Sequence, residues 1–434
     1  MALRLDASQP DFAARFDQLL NANRDADEDV SRVVREIIAD VRRDGDAALV
    51  ALARRFDGVE LTPQTLRVPQ ADIDAAFNAT DPKLIAALNL AAERIEAYHR
   101  LQIPENQSFT DSSGAKLGWR WGPLESVGLY VPGGTATYPS SVLMNAVPAR
   151  VAGVSRMVMV TPASKGAINP LVLAAAKIAG VSEIYRVGGA QAVAALAYGT
   201  ASIRPVDKIV GPGNAYVAAA KREVFGIVGI DSIAGPSEIC VVADGKNDAA
   251  WVAADLLSQA EHDASSQSIL ITDDAAFADR VASEVERQIA LLPRAKIAGA
   301  SWHEHGAIIL VPDLNAAAPL VDAIAPEHLE IATDDPEAFF ARVKNAGAAF
   351  LGRFTPEAMG DYIAGPNHVL PTSRTARFSS GLSILDFMKR TTMLSCDSGV
   401  LAKLGPAAVA MAEAEGLAAH GRSISIRMNQ RGVD

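Results

Sequence analysis

The sequence predicts an α/β protein made of two incomplete, Rossmann-like parallel-sheet modules with small helical N- and C-terminal parts. Three observations favour this class. Apolar, β-rich runs alternate with helical patterns at the spacing of strand–helix–strand units. Glycines follow the predicted helices, where a positive φ is favoured. The chain has 434 residues, which is enough for two or more domains.

The part of the chain before residue 130 is predicted to be mainly helical. Val30–Phe56 has apolar residues three and four positions apart, which is typical of a helix with one buried face. Ala75–Leu101 shows the same pattern. Lys116–Trp121 and Ser126–Val131 are predicted strands.

Two series of alternating elements follow. The first has predicted strands at Arg156–Thr161, Glu183–Val187 and Asp207–Val210, and predicted helices at Asn169–Ala179, Ala190–Tyr198 and Ala215–Phe225. The second has strands at Ser268–Thr272, Ala307–Val311, Leu329–Ala332 and Ala348–Leu351, with helices at Ala275–Leu291 and Pro336–Lys344. This order predicts parallel sheets that carry helices on their faces.

We therefore divide the chain into four parts. Residues 1–25 are predicted to be a helical segment. Residues 26–129 together with 239–380 form a first α/β module, and residues 130–238 form a second. Residues 381–434 are predicted to be a helical tail, with helix expected over Asp386–Asp434.

The composition of the chain argues against several classes of protein, namely nucleic-acid-binding, secreted and membrane-spanning proteins. The chain has 40 basic and 51 acidic residues and a net charge of −11, which argues against nucleic acid as a partner. No secretory signal is expected, because the start of the chain has no apolar stretch of the kind that such signals contain. No membrane helix is expected, because the stretch Ser126–Ala149 is interrupted by prolines and glycines. Cys240 and Cys396 cannot form a disulfide framework in so long a chain, and we expect them to be reduced in the cytoplasm.

A metal site is one candidate for the chemistry of this protein. Gln259 and His262 lie three residues apart near the end of a predicted helix, so that both side chains could reach one ion. Further ligands must come from distant segments, because a catalytic zinc usually has at least three protein ligands. The candidates are Asp361, His368, and either Glu415 or His420.

Glu327 and His328 are the candidate general bases, because a carboxylate and an imidazole are the usual bases near neutral pH. The alternative interpretation is that these two residues lie in a helix-to-strand connection and have no catalytic role. His303 and His305 are interpreted as part of a solvated loop, and His99 as structural.

Three glycine-containing loops follow predicted strands, namely Pro132–Thr135, Val187–Gln191 and Gly211–Asn214. Such loops can hold an anion at a helix N-terminus, although none has the dinucleotide fingerprint and any one could be only a tight turn. Cys240 lies among β-branched residues and is interpreted as a core residue rather than a nucleophile.

Six separated motifs resemble those of the histidinol dehydrogenase family, and the resemblance extends over essentially the whole chain. The motifs are Ile230–Ile239, Ala254–Asp263, Ala325–Glu330, Gly360–Tyr362, Gly365–Pro371 and Glu415–His420. The resemblance implies that L-histidinol, two NAD and water give L-histidine and two NADH, in the last step of histidine biosynthesis. It also implies a homodimer with interlocked chains, in which the C-terminal part reaches the partner's site.

The resemblance further implies roles for individual residues. Glu327 and His328 would be the catalytic bases. A zinc ion would be held by Gln259, His262, Asp361 and His420, which would also contact substrate. Further substrate contacts would come from Ser237, His328, His368 and Glu415, and NAD contacts from Tyr130, Gln191 and Asn214.

Two other classes of function compete with this interpretation. A zinc hydrolase of α/β fold could use the same ligands with Glu327 acting on water, although the chain lacks a His-Glu-x-x-His helix. A non-catalytic metal- or nucleotide-binding module is the other alternative, and the adjacent Glu327 and His328 argue against it. Reduction of NAD on addition of histidinol discriminates the dehydrogenase from both.

Overall fold

The computed structural model describes residues 2–22, 28–133, 138–163 and 166–428. The chain divides into two compact units. Unit 1 consists of residues 1–102 and 124–387, and unit 2 of residues 103–123 and 388–434. The predicted α/β class is confirmed, because unit 1 holds two parallel sheets flanked by helices.

Sheet A is the larger of these sheets, and every strand pair in it is parallel. In spatial order its strands are β1 (Leu3–Asp6), β11 (Ala307–Leu310), β10 (Gln267–Thr272), β9 (Glu238–Ala243), β12 (His328–Ala332) and β13 (Ala348–Leu351). The expected helical segment 1–25 therefore begins with a strand. Only the pairing of β1 with β11, some 300 residues away in sequence, reveals this.

Helices cover both faces of sheet A. Successive residues of β9 point to opposite faces, and the apolar residues on each face are buried under helices. Ile239 and Val241 pack with the helices of one face, whereas Cys240 and Val242 pack with those of the other. The helices of the first face are α11 (Ala249–Ala260), α12 (Ala275–Ile289) and α13 (Ala295–His305). Those of the second face are α1 (Phe12–Leu20), α14 (Ala317–Ile324) and α15 (Pro336–Phe340).

Sheet B is also parallel throughout. In spatial order its strands are β6 (Glu183–Tyr185), β5 (Arg156–Val160), β4 (Ser126–Tyr130), β7 (Lys208–Val210) and β8 (Gly229–Ile230). One face packs on α2 (Glu28–Asp44), α3 (Asp46–Asp57), α9 (Gly189–Tyr198) and α10 (Ala215–Val224). The remaining helices of this region are α4 (Pro63–Leu66), α5 (Gln70–Ala79), α6 (Pro82–Arg100), α7 (Pro139–Ala152) and α8 (Pro170–Ala179).

Helices α2 and α3 pack on sheet B, although the sequence predicts that residues 26–129 belong with residues 239–380. The apolar stripe of Val34, Ile37 and Val41 is buried with residues of α9, α10 and sheet B. Periodicity predicts that this stripe is buried but not against which sheet. The predicted helix Val30–Phe56 is divided into α2 and α3 at Gly45, which has a φ of 55°.

Unit 2 contains an antiparallel sheet and two helices. The sheet has the order β14 (Met388–Ser395), β3 (Lys116–Pro123) and β2 (Gln107–Thr110), and the helices are α17 (Ser398–Ala414) and α18 (Ala418–Met428). The prediction of helix over the whole of Asp386–Asp434 is therefore wrong, because β14 pairs along its full length with β3. That partner lies about 270 residues earlier, beyond the reach of local patterns.

Short elements complete the described chain. They are α16 (Glu357–Tyr362) and 3-10 helices at Leu314–Ala316, Thr375–Arg377 and Ile384–Phe387. The glycines after α8, α9 and α10 have positive φ values, as predicted: Gly180 has 84°, Gly199 has 77° and Gly226 has 101°. In the part of the chain described here, no helix is both long and apolar enough to cross a membrane.

Candidate active site and metal centre

Glu327 and His328 converge at the amino end of β12. Ala325 adopts a left-handed conformation with a φ of 47°, and Pro326 and Glu327 then lead into the strand at His328. Glu327 Oε2 lies 3.7 Å from His328 Nδ1. The side chains are 8% and 4% exposed, respectively. The turn therefore brings together two side chains that would point in opposite directions on a regular strand.

The backbone of Glu238, at the start of β9, orients this pair. Its N–H donates to Glu327 Oε2 at 2.9 Å, and its carbonyl lies 3.0 Å from His328 Nδ1. A carbonyl oxygen only accepts, so Nδ1 carries a proton, and in the neutral form of the imidazole the lone pair is on Nε2. Among the described residues, buried Nε2 has no hydrogen-bond partner. It is therefore the nitrogen that is available to take a proton.

Burial and charge shift the pKa values of both residues. Burial raises the pKa of Glu327 to about 8, although His328 acts in the opposite direction. Burial acts to lower the pKa of His328, but the carboxylates of Glu357, Glu327 and Asp361 together raise it well above its ordinary value. A carboxyl group with a pKa this close to neutrality suits a general base.

Glu357 and Asp361 approach His328 from α16. They are four residues apart, so they share one face of the helix. Their carboxylate oxygens lie 3.8 Å and 3.6 Å from His328 Nε2. Burial acts to raise the pKa of Asp361, but its histidine neighbours, beginning with His328, lower it overall. Together the three residues offer ligand atoms within 4.8 Å of one another, which is suitable for a metal ion.

Gln259 and His262 lie at the end of α11, beside this cluster. Gln259 is 1% exposed, and its Oε1 has no partner among the residues that are described. Burial lowers the pKa of His262, although Asp361 acts electrostatically in the opposite direction. A neutral imidazole, a carboxylate and an unpaired amide oxygen are donors that fit a zinc ion. The neighbouring Ser258 donates to Glu357 Oε2 at 2.9 Å, which ties α11 to α16.

Ser237 and His368 line a cavity of about 120 Å³ together with Glu327. His368 Nδ1 lies 3.1 Å from the carbonyl oxygen of Asp361, and its Nε2 lies 3.3 Å from the hydroxyl of Ser141. Burial lowers the pKa of His368. The lining of the cavity also includes Gly211–Gly213, part of one of the predicted glycine loops. Glu327 and a glycine loop therefore border the same cavity.

The three predicted NAD contacts lie at the carboxyl edge of sheet B. Tyr130 ends β4 and is 4% exposed, and its hydroxyl accepts a hydrogen bond from Gly189 N at 3.0 Å. Burial raises the pKa of Tyr130 to about 12. Gln191 is 2% exposed in the first turn of α9. Asn214 caps α10, because its Oδ1 accepts from the backbone N–H groups of the second and third residues that follow it.

One of the glycine loops is only partly described. Gly134 and Thr135 of the loop Pro132–Thr135 lie outside the described residues. Pro162, which the sequence analysis does not single out, packs against two of the loops. A Cβ atom on Gly133 or on Gly188 would come within 2.6 Å of its ring. Close packing therefore requires glycine at both positions. This requirement cannot be deduced from a single sequence, because it depends on where Pro162 lies in space.

Glu415 and His420 belong to unit 2. Glu415 follows α17 and His420 lies in α18, and both are exposed. Unit 1 brings together Gln259, His262, Glu327, His328, Asp361 and His368. Glu357 is the main residue that the sequence analysis misses there. Its place four residues before Asp361, after a proline, is the signal that could have found it.

The remaining histidines and cysteines lie outside this cluster. His303 and His305 end α13 rather than lying in a loop, and His303 Nε2 is 2.9 Å from Glu286 Oε1. His99 is fully buried, with its Nδ1 2.8 Å from the carbonyl oxygen of Ile95. Both cysteines are free, and Cys240 is buried, which raises the pKa of its thiol. Cys240 is therefore a core residue, as predicted.

A buried acid–histidine pair, adjacent metal-ligand donors and glycine loops on parallel sheets define an α/β enzyme with a candidate metal centre. Residues 20–428 match the model of the histidinol dehydrogenase family. The chain belongs to this family and is an oxidoreductase.

Individual relatives agree with this assignment. The chain is 64% identical over 431 residues to a histidinol dehydrogenase of Rhodospirillum rubrum, with 99% of each chain covered. It is 61% identical over 429 residues to one of Rhizobium meliloti, again with 99% of each covered. A solved histidinol dehydrogenase of Elizabethkingia anophelis shares its fold with a TM-score of 0.93 at 36% identity, and 98% of each chain is covered.

Proposed function

We propose that this enzyme oxidises L-histidinol to L-histidine through bound histidinaldehyde, with two NAD as oxidants and zinc as metal cofactor. This is the last step of histidine biosynthesis. Support comes from the names of its relatives, at up to 64% identity over essentially the full chain. The observation that carries the proposal is the buried Glu327–His328 pair beside Asp361.

His328 acts as the base for both oxidations. Its Nδ1 proton is held by the Glu238 carbonyl, so Nε2 accepts the proton of the alcohol while a hydride leaves the carbinol carbon for NAD. Once the aldehyde has been hydrated, Nε2 accepts a proton from the hydrate as the second hydride leaves. Glu357 and Asp361 stabilise the imidazolium that forms.

Glu327 acts between the two oxidations. It removes a proton from the water that adds to the aldehyde carbon. The carbonyl oxygen takes up the proton that His328 Nε2 holds, which gives the hydrated aldehyde and frees Nε2 for the second oxidation. The N–H of Glu238 holds Glu327 Oε2 in place. Separate bases suit this sequence, because one prepares the water while the other serves the alcohol and the hydrate.

Gln259, His262 and Asp361 would hold the zinc ion, together with His420. When bound, zinc supplies a positively charged template that orients the imidazole and amine of histidinol. These residues, with Ser237, His328, His368 and Glu415, are proposed to bind the substrate. Support comes from the unpaired Gln259 Oε1 and from the carboxylate of Asp361 beside His328.

The carboxyl edge of sheet B is proposed to bind NAD through Tyr130, Gln191 and Asn214. Two features support this assignment. The loops open α9 and α10 at their N-termini, where backbone N–H groups favour a pyrophosphate. The loop Gly211–Gly213 also lines the cavity that Glu327 and His368 border, so a cofactor there would be close to the bases.

We further propose a cytoplasmic homodimer in which the C-terminal part of one chain, including His420 and Glu415, completes the site of its partner. The free cysteines are in keeping with a reducing compartment. Mixed dimers test the exchange. An inactive His328→Asn chain and an inactive His420→Asn chain are co-expressed with different tags, and the mixed dimer is purified. Exchange predicts one intact site and recovered activity, whereas a dimer without exchange stays inactive.

The reaction is tested with the purified, zinc-loaded protein. We expect two NADH for each L-histidinol consumed, and L-histidine as the product. The matched control is the His328→Asn variant under the same conditions. A wild-type protein that consumes no histidinol and reduces no NAD would contradict the proposal, and hydrolysis of an ester or amide instead would favour the zinc hydrolase.

A further inference from the structure

A buried ion pair lies behind one of the proposed cofactor loops. Lys221, on α10, contacts Asp231, which follows β8. The two side chains are only 2% and 4% exposed. The cost of removing two charges from water is large, so a buried ion pair is weak evidence for a purely stabilising role.

The hydrogen bonds of this pair converge on Gly211, the first residue of the loop Gly211–Asn214. Lys221 Nζ donates to the Gly211 carbonyl at 3.1 Å, and Gly211 N donates to Asp231 Oδ2 at 2.7 Å. Both backbone groups of Gly211 are therefore held by one ion pair. The second oxygen of Asp231 accepts from Ser232 N at 2.6 Å, so both carboxylate oxygens accept a backbone N–H group.

Gly211 has little freedom to move within this arrangement. Its φ is 110°, and a Cβ atom there would lie 2.2 Å from the carbonyl oxygen of Tyr130. Lys221 and Asp231 also line the cavity that Ser237, Glu327 and His368 border. The pair thus holds Gly211 at the border of the cavity that Glu327 also lines.

We propose that Lys221 and Asp231 are positioning residues for the nicotinamide cofactor. They fix the loop Gly211–Asn214 against the end of β4, so that NAD binds with its reactive end towards the cavity. This inference rests on the proposed function, because it takes that loop to be a cofactor loop. Neither residue needs to contact the cofactor for this role.

Lys221→Met tests the proposal because methionine keeps most of the apolar stem and removes the ammonium. We expect the KM for NAD to rise about tenfold or more, since small displacements of positioning elements are costly. The KM for histidinol and the zinc content should stay at the wild-type values. The double variant Lys221→Met/Asp231→Asn leaves no unpaired buried charge, and we expect the same rise in the KM for NAD.

Arg156→Met is the matched control. Arg156 and Glu183 form another largely buried ion pair of sheet B, with an N–O distance of 3.0 Å and exposures of 14% and 18%, but at the amino ends of the strands. Its loss should lower the melting temperature without changing the KM for NAD. A rise in the KM for NAD in the Lys221 variants but not in Arg156→Met would therefore distinguish a positioning role from a general stabilising role.

The KM for NAD and the folding of the variants together test the positioning role. A folded Lys221 variant, single or double, with a wild-type KM for NAD would overturn it. Failure of both variants to fold where Arg156→Met folds would also overturn it, because the pair would then hold the fold rather than the loop. Wild-type protein that reduces no NAD with histidinol would instead contradict the proposed function, which is a separate result of the same assay.

Discussion

The candidate site residues lie at opposite edges of the two parallel sheets of unit 1. In sheet B the candidate cofactor loops follow the carboxyl ends of the strands, with Tyr130 at the end of β4 and Gly211 after β7. In sheet A the titratable cluster lies at the amino ends, where Glu238 starts β9 and His328 starts β12. The carboxyl edge is the usual ligand site of an open α/β sheet, so only sheet B follows the rule.

The difference follows from what each edge offers. The carboxyl edge of sheet B leads into helix N-termini, whose free N–H groups suit an anion. The amino edge of sheet A provides the backbone N–H and carbonyl of Glu238, which hold a carboxylate and an imidazole. At the carboxyl edge of sheet A, Asp244 and Asp334 instead pair with Arg353. In the proposed function, proton transfer and cofactor binding therefore take place at the edges of different sheets.

Removal of the metal should have the largest effect. We expect a chelator to abolish histidinol oxidation while the circular dichroism spectrum and the affinity for NAD stay unchanged, because the metal donors belong to the sheet A cluster. Added zinc should restore the activity. Full activity in a rigorously metal-free sample would contradict the proposal that Gln259, His262 and Asp361 hold a catalytic metal ion.

Loss of the base should be the next largest effect. His328→Asn should lower kcat by between about a hundredfold and about ten thousandfold, the usual contribution of a general base. Its affinity for NAD, measured by titration calorimetry, should not change. The control is His303→Asn, since His303 is partly exposed and contacts Glu286 outside this cluster. A comparable loss in the control, or weak NAD binding by His328→Asn, would contradict the separation of the two edges.

A change at the other edge should have a smaller and complementary effect. Gly211→Ala places a methyl group against the Tyr130 carbonyl, and we expect the KM for NAD to rise about tenfold through the displaced loop. Gly226→Ala is the matched control, because Gly226 has a similar φ of 101° but no atom within 4 Å of the added Cβ. Equal effects of the two variants would show that backbone strain alone is responsible.

Local patterns in the sequence predict much of this organisation. Helix periodicity, β-rich runs and helix-ending glycines are local signals, and they correctly predict many helices and most strands of both parallel sheets. Helices α13 and α14 are not predicted. The spacing of Gln259 and His262 and the adjacency of Glu327 and His328 likewise point to residues that the structure groups around Asp361.

Features that depend on distant partners escape such reasoning. The strand β1 exists because it pairs with β11, and β14 because it pairs with β3. The stripe on α2 shows that it is buried, but not that it faces sheet B. Lys221 gains its interest only from Gly211, the residue that it contacts in space.

The most direct test of the account compares the two half-reactions in Glu327→Gln. Oxidation of histidinol to the aldehyde and oxidation of histidinaldehyde to histidine are measured separately, with His328→Asn alongside. We expect Glu327→Gln to retain much more of the first reaction than of the second, since only the second needs an activated water. His328→Asn should lose both. An equal loss of the two reactions in Glu327→Gln would contradict the division of labour between the two bases.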